Sequence, residues 1–118
     1  SRGEEYFRKI EEKVTLNKLK LISTVISLGG GAFMNRNIRA EVLKNHISFW
    51  LNWNEEVLLG RINQSKKRPV AFKLNDKELI NLMRERSNIY SKALYKINCD
   101  NLTKNEITNK IVNIYEAH

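Results

Sequence analysis

The stretch Val25-Ile-Ser-Leu-Gly-Gly-Gly-Ala32 decides the fold class. It carries an apolar, β-branched run, Thr24, Val25, Ile26 and Leu28, that stops in three consecutive glycines, Gly29, Gly30 and Gly31. A continuous apolar run, rather than an alternation, is the pattern of a strand covered on both faces, as in parallel sheets. Three glycines lose more backbone freedom on folding than other residues would, so a tight turn alone is a poor reason for them. A better one is that the main chain can approach a ligand with no Cβ in the way. In open α/β sheets, ligands lie outside the carboxyl ends of the strands. The same residues also suit a flexible connection from strand to helix.

Working outward, the chain reads as an alternation of helices and short strands. Residues 3 to 19 predict a helix with a ragged apolar stripe of Tyr6, Phe7, Ile10 and Val14, and with Glu4 and Glu5 placed to suit the helix dipole. Arg8 and Glu11 stand at i,i+3 on one face; they form a surface pair, or Glu11 holds Arg8 toward an anion. Leu21 to Leu28 predicts a first strand. Asn35 or Asn37 then caps a helix bearing Ile38, Val42 and Leu43, which Asn45 can close. Ile47 to Leu51 reads as a second strand, and Asn52 or Asn54 caps a helix from Glu55 to about Arg61. Trp50 and Trp53 read as packing residues.

Asn75 and Glu78 begin a long helix to about Leu94 with a capping-box pattern. Tyr95 to Cys99 is a third strand, and Thr103 with Glu106 opens a last helix. This order, without hairpin turn pairs, argues a parallel sheet between helical layers, an α/β/α arrangement in a single domain over residues 1–118. Residues 63–74 form the one long irregular segment, with Lys66, Lys67, Arg68 and the sole proline, Pro69. It reads as a lid over a polyanion or as a solvated loop.

Composition narrows the function classes. The hydrophobic fraction of 42 % and charged fraction of 29 % suit an ordinary globular chain with one core. No apolar run approaches a membrane span of roughly 20 residues. The single cysteine, Cys99, excludes an internal disulfide and fits a cytoplasmic location. His46 and His118 lack metal-ligand spacing. A net charge of +8 points to anionic partners or to a merely solvated basic surface. The basic residues are dispersed among acids and no groove-reading motif occurs, so nucleic acid is not expected as a partner.

Four features then stand in order: Phe7-Arg8-Lys-Ile-Glu11, Leu28-Gly-Gly-Gly31, Lys67-Arg68-Pro69 and Arg86-Ser-Asn-Ile-Tyr90. In that order and spacing the chain resembles the shikimate kinases, small P-loop kinases of the nucleoside monophosphate kinase group. The resemblance spans essentially the whole sequence and favours this family over the related gluconate kinases. It implies a three-layer P-loop kinase fold and transfer of the ATP γ-phosphate to the shikimate 3-hydroxyl, a step of aromatic amino-acid biosynthesis, with Mg2+ as cofactor. Shikimate and ATP are the implied partners, and such kinases are usually monomeric.

Residue by residue, the resemblance implies that Arg8 and Arg86 bind the shikimate carboxylate, a pairing that a planar guanidinium suits. Glu11 would orient Arg8. The amides of Gly29, Gly30 and Gly31 would face the substrate. Ser27 would touch the magnesium water shell, Arg61 would lie near the adenine, and Arg68 in the lid would stabilise the transferred phosphoryl group. The family's G-x-x-x-x-G-K-[ST] loop, and the strand bearing an Asp that engages the substrate, do not occur in these 118 residues. The sequence begins where the family's substrate-binding helix begins, so the expectation is a truncated kinase domain lacking about 50 residues. Such a chain is expected to be inactive alone, and either weakly stable or self-associating, since unpaired backbone groups cost about 1–3 kcal/mol each. The alternative is a non-catalytic remnant that binds an anion or metabolite.

Overall fold

Helix α1, Arg2–Lys18, has Glu4 and Glu5 in its first turn and Lys18 in its last, each charge complementing the helix dipole. The computed structural model describes residues 2–64 and 75–118, and the chain divides into two compact units, Ser1–Ser48 and Phe49–His118.

In the first unit α1 packs against α2, Arg36–Asn45, and against a short 3-10 turn, Ala32–Met34. Its buried residues are Leu19, Ala32, Phe33, Ile38 and Val42, with Ile38 wholly enclosed. Of the two candidate caps for α2, Asn35 does the work: its side chain accepts from the backbone N–H of Asn37 (2.8 Å) and of Ile38 (3.0 Å). Asn37 instead reaches across to α1, where its side-chain amide donates to the Glu12 carboxylate. The helix ends at Asn45, and His46 beyond it is extended.

Residues 21–28, expected as the first strand, form no ladder with any described residue. Ile22 is 88 % and Val25 99 % exposed, and Ser23 adopts a left-handed conformation (φ 53°). Propensity and apolarity make a segment able to be a strand, but the strand itself is a set of hydrogen bonds to a neighbour.

The second unit holds the sheet. Strand β1, Phe49–Asn52, runs parallel to β2, Tyr95–Asn98, in the register Phe49↔Tyr95 to Asn52↔Asn98. The Cys99 N–H extends the ladder to the Asn52 carbonyl at 2.8 Å. The expected strands Ile47–Leu51 and Tyr95–Cys99 are thus present, shifted or shortened by a residue or two. Parallel neighbours need a crossover. Here it includes α3, Glu55–Gln64, and α4, Asp76–Tyr90, which pack on each other.

Both expected capping boxes form. Asn75 and Glu78 open α4, and Thr103 and Glu106 open α5, Lys104–Ala117. Asn54, not Asn52, caps α3 through the Val57 N–H (2.9 Å). Leu79, Ile97 and Cys99 are buried, and burial pushes the Cys99 thiol above its ordinary range. Stacking of Phe49 on Tyr95 (5.5 Å between centroids) and contact of Lys96 with the Trp50 ring (5.0 Å) follow from the strand register, which sets each pair side by side. Trp50 is half-buried beside Tyr90, in agreement with its expected packing role.

The lid segment expected over residues 63–74 lies outside the described residues from 65 onward, and residues 63 and 64 complete α3.

Candidate functional site

The i,i+3 spacing on α1 brings Arg8 Nη1 to 2.8 Å from Glu11 Oε1. Glu11 is largely covered, with 17 % of its side chain exposed, whereas Arg8 remains 44 % exposed. The Arg8 guanidinium also lies 5.3 Å from the Phe7 ring centroid. A carboxylate contact and a nearby aromatic ring together restrict the guanidinium more than either alone. Among the described residues, Arg8 Nε and Nη2 make no hydrogen bond.

The glycine corner stands against this pair. A Cβ placed on Gly31 would lie 2.5 Å from Arg8 Nη1, 2.9 Å from Nη2 and 3.0 Å from Cζ. A Cβ on Gly29 would lie 3.7 Å from Glu11 Oε2, an ordinary contact. No glycine among the described residues has positive φ, and Gly31 itself sits at φ −95°, ψ −10°. Space, not conformational freedom, is therefore what Gly31 provides. The close approach expected of a ligand is made by the chain's own arginine.

Three of the corner's carbonyls are held by backbone donors. Gly29 O accepts from the Ala32 N–H (3.0 Å), Gly31 O from Met34 (3.2 Å) and Ala32 O from Asn35 (3.1 Å). The next two, Phe33 O and Met34 O, accept from Arg39 Nη1 at 3.1 and 3.2 Å. Arg39 has no place in the sequence motifs and was not anticipated. Its signal is geometric, since one side chain answers two successive carbonyls of the turn.

The remaining expected residues are placed as follows. Arg86 lies on α4 of the second unit, half-buried, and among the described residues it has no hydrogen-bond or ion-pair partner. Its neighbour Arg84 is committed to Glu55, with Nε–Oε1 at 2.7 Å and Nη2–Oε2 at 3.2 Å. That pairing holds the Glu55 carboxyl below its ordinary range and raises Arg84. Arg61 lies over the Trp53 ring, 4.8 Å from its centroid, which gives Trp53 a contact that packing alone did not suggest. Ser27 is exposed, and Arg68 lies outside the described residues. Among the described residues no group of three or more His, Cys, Asp or Glu side chains could hold a metal ion. Among the described residues, Ser27 offers one exposed hydroxyl, which suits contact with a magnesium-bound water rather than direct ligation of the ion.

Chemically, the first unit offers a guanidinium that keeps open donors, fixed by a carboxylate and lying on bare backbone. Such a group suits a planar anion. The family model for shikimate kinase matches residues 1–116. The shikimate kinase of Bartonella quintana is 35 % identical over 111 residues, covering 93 % of this chain and 53 % of that protein. The shikimate kinase of Caldanaerobacter subterraneus subsp. tengcongensis is 32 % identical over 114 residues, or 96 % of this chain and 67 % of the relative. The crystal structure of shikimate kinase from Bacteroides thetaiotaomicron superposes with a TM-score of 0.76 at 27 % identity, covering 98 % of this chain and 69 % of that one. Its P-loop kinase architecture agrees with the parallel strands and flanking helices described above. The chain spans about half the length of the Bartonella relatives. With a family match that runs nearly end to end and the arginine, glutamate and glycines of the expected motifs gathered at one corner, this chain belongs to the shikimate kinase family.

Proposed function

We propose that the protein carrying this chain is a shikimate kinase, transferring the ATP γ-phosphate to the 3-hydroxyl of shikimate, and that this chain supplies the grip on the substrate carboxylate. The observation that carries the proposal is the Arg8 guanidinium held by Glu11 across Gly31 with donors to spare. In this reading the open N–H groups of Arg8 bind the carboxylate while Glu11 keeps the guanidinium oriented. The backbone of Gly29, Gly30 and Gly31 faces the ring. Because Glu11 already balances one positive charge, a second cation is needed for a tight grip, and we assign that part to Arg86. A half-buried arginine without an acidic partner among the described residues is suited to it.

Arg61, stacked on Trp53, is assigned to the nucleotide, and Arg68 to the transferred phosphoryl group. Magnesium enters as a companion of ATP, held by phosphate oxygens and water, and Ser27 contacts it at most through that water. A reduced cytoplasmic setting suits the single buried thiol of Cys99. Without a phosphate-binding loop, the 118 residues alone are proposed to be inactive.

Calorimetry of the full-length protein tests the assignment. Arg8→Ala and Arg86→Ala should each weaken shikimate binding about tenfold or more, as loss of a charge-assisted contact does, and leave nucleotide binding nearly unchanged. Wild-type shikimate affinity in both variants would overturn it. Binding of another anion, with shikimate ignored, would favour the non-catalytic remnant.

A further inference from the structure

We infer that Arg39 is a positioning residue for the substrate-carboxylate grip, acting through the glycine corner on Arg8. The inference rests on the function proposed above and adds to it a residue outside the family motifs. Backbone bonds hold the corner between Gly29 and Asn35: Gly29 O accepts from Ala32, Gly31 O from Met34 and Ala32 O from Asn35. The next two carbonyls along the chain are those of Phe33 and Met34. Both are answered by one nitrogen, Arg39 Nη1, at 3.1 and 3.2 Å.

Arg39 is well fixed for the purpose. Its own backbone N–H donates to Asn35 O at 3.0 Å, so the residue that anchors the turn belongs to the first turn of α2. Its side chain is part-buried and makes no ion pair among the described residues. A carboxylate partner would compete for the guanidinium. Left without one, it serves the carbonyls. α2 is in turn tied to α1 by the Asn37–Glu12 hydrogen bond, one residue beyond Glu11.

The consequence for binding follows from Gly31. The 3-10 turn begins at Gly31, and a Cβ there would meet the Arg8 guanidinium at 2.5 Å. A shift of a few tenths of an ångström in this turn therefore moves the surface on which Arg8 lies. Removing the Arg39 tie to Phe33 O and Met34 O loosens the carboxyl end of the turn and, with it, that surface. Arg39 thus sets where the Arg8 donors point without touching the substrate.

A double-mutant cycle on the full-length protein tests this, with shikimate affinity read by calorimetry. Arg39→Met should weaken shikimate binding about tenfold, a coupling common for residues of one network, and leave nucleotide affinity within about twofold. In an Arg8→Ala background the same change should alter shikimate affinity by less than about twofold, because the group being positioned is gone. Arg39→Lys, which keeps a charge and a donor, should restore about half of the lost binding energy, a factor of roughly three. It also serves as the test variant, in the same cycle, if Arg39→Met does not fold. Equal losses in both backgrounds, or no loss in the wild-type background, would overturn the role of Arg39. If Arg8→Ala itself keeps wild-type shikimate affinity, the carboxylate reading fails first, whatever Arg39 does.

Discussion

The Arg8 guanidinium occupies the space that a side chain on Gly31 would need, with Nη1 2.5 Å from where a Cβ would stand. Stability and binding separate at this contact. The backbone at φ −95°, ψ −10° is open to alanine, and the atom in the way is the far end of a flexible side chain. Gly31→Ala should therefore fold, with the melting temperature of the chain within about 4 °C of wild type. The displaced guanidinium should lower shikimate affinity in the full-length protein about tenfold, or about 1.4 kcal/mol. A calorimetric titration beside a thermal melt checks both halves. Lost folding with intact affinity per folded molecule would reverse the assignment.

Gly60 is the internal control. It lies within α3, and a Cβ there would meet nothing within 4 Å. Alanine relieves the backbone entropy of an interior helical glycine at no steric cost, so Gly60→Ala should stabilise the chain by about 0.5–1 kcal/mol. The urea midpoint should rise with an unchanged m-value. A fall in midpoint would mean that the α3 backbone needs a conformation alanine resists.

What the sequence made legible was local. The boxes Asn75/Glu78 and Thr103/Glu106, and the Arg8–Glu11 pair, join residues three apart, where helix geometry alone brings the groups together. The family motifs added the glycines as neighbours of Arg8. Contacts between distant residues were not legible. Arg84 with Glu55 spans 29 positions and Asn37 with Glu12 spans 25, and no periodicity announces either. Arg39 sits only five or six residues from its acceptors, yet no side-chain pattern marks it, because its partners are backbone carbonyls. The run 21–28 shows the converse: its residues favour a strand, but pairing depends on a neighbour that composition cannot supply.

That unpaired run bears on behaviour in solution. Between Leu21 and Leu28 no residue is charged, although the chain carries a net +8, and Val25 is 99 % exposed. An uncharged, β-prone, exposed segment is a template for pairing with another copy. The 118-residue chain should therefore associate as its concentration rises through the micromolar to millimolar range. Val25→Lys should move it toward monomer by placing like charges opposite one another. Sedimentation velocity reads this directly. A wild-type chain that stays monomeric throughout, or a lysine variant that associates equally, would dismiss the run as the cause.

Acid should weaken the second unit through two identifiable carboxyls. Hydrogen bonds from Arg84 hold Glu55, and the Thr103 backbone N–H foremost holds Glu106, below the ordinary glutamate value of about 4.5. A group whose folded pKa is depressed stabilises the fold fully above its unfolded value, and that contribution is lost as pH falls through the folded one. The loss therefore begins near pH 4.5 and continues below it, while raising the pH from about 5 to 8 should change little through these groups. Both side chains are solvated, so each effect is small and weakens further in salt. Urea midpoints at about pH 5 and about pH 3 should fall less in the Glu55→Gln/Glu106→Gln double variant than in wild type, since glutamine removes the titration and keeps an acceptor. An identical fall in the two proteins would place the acid sensitivity in other carboxyls.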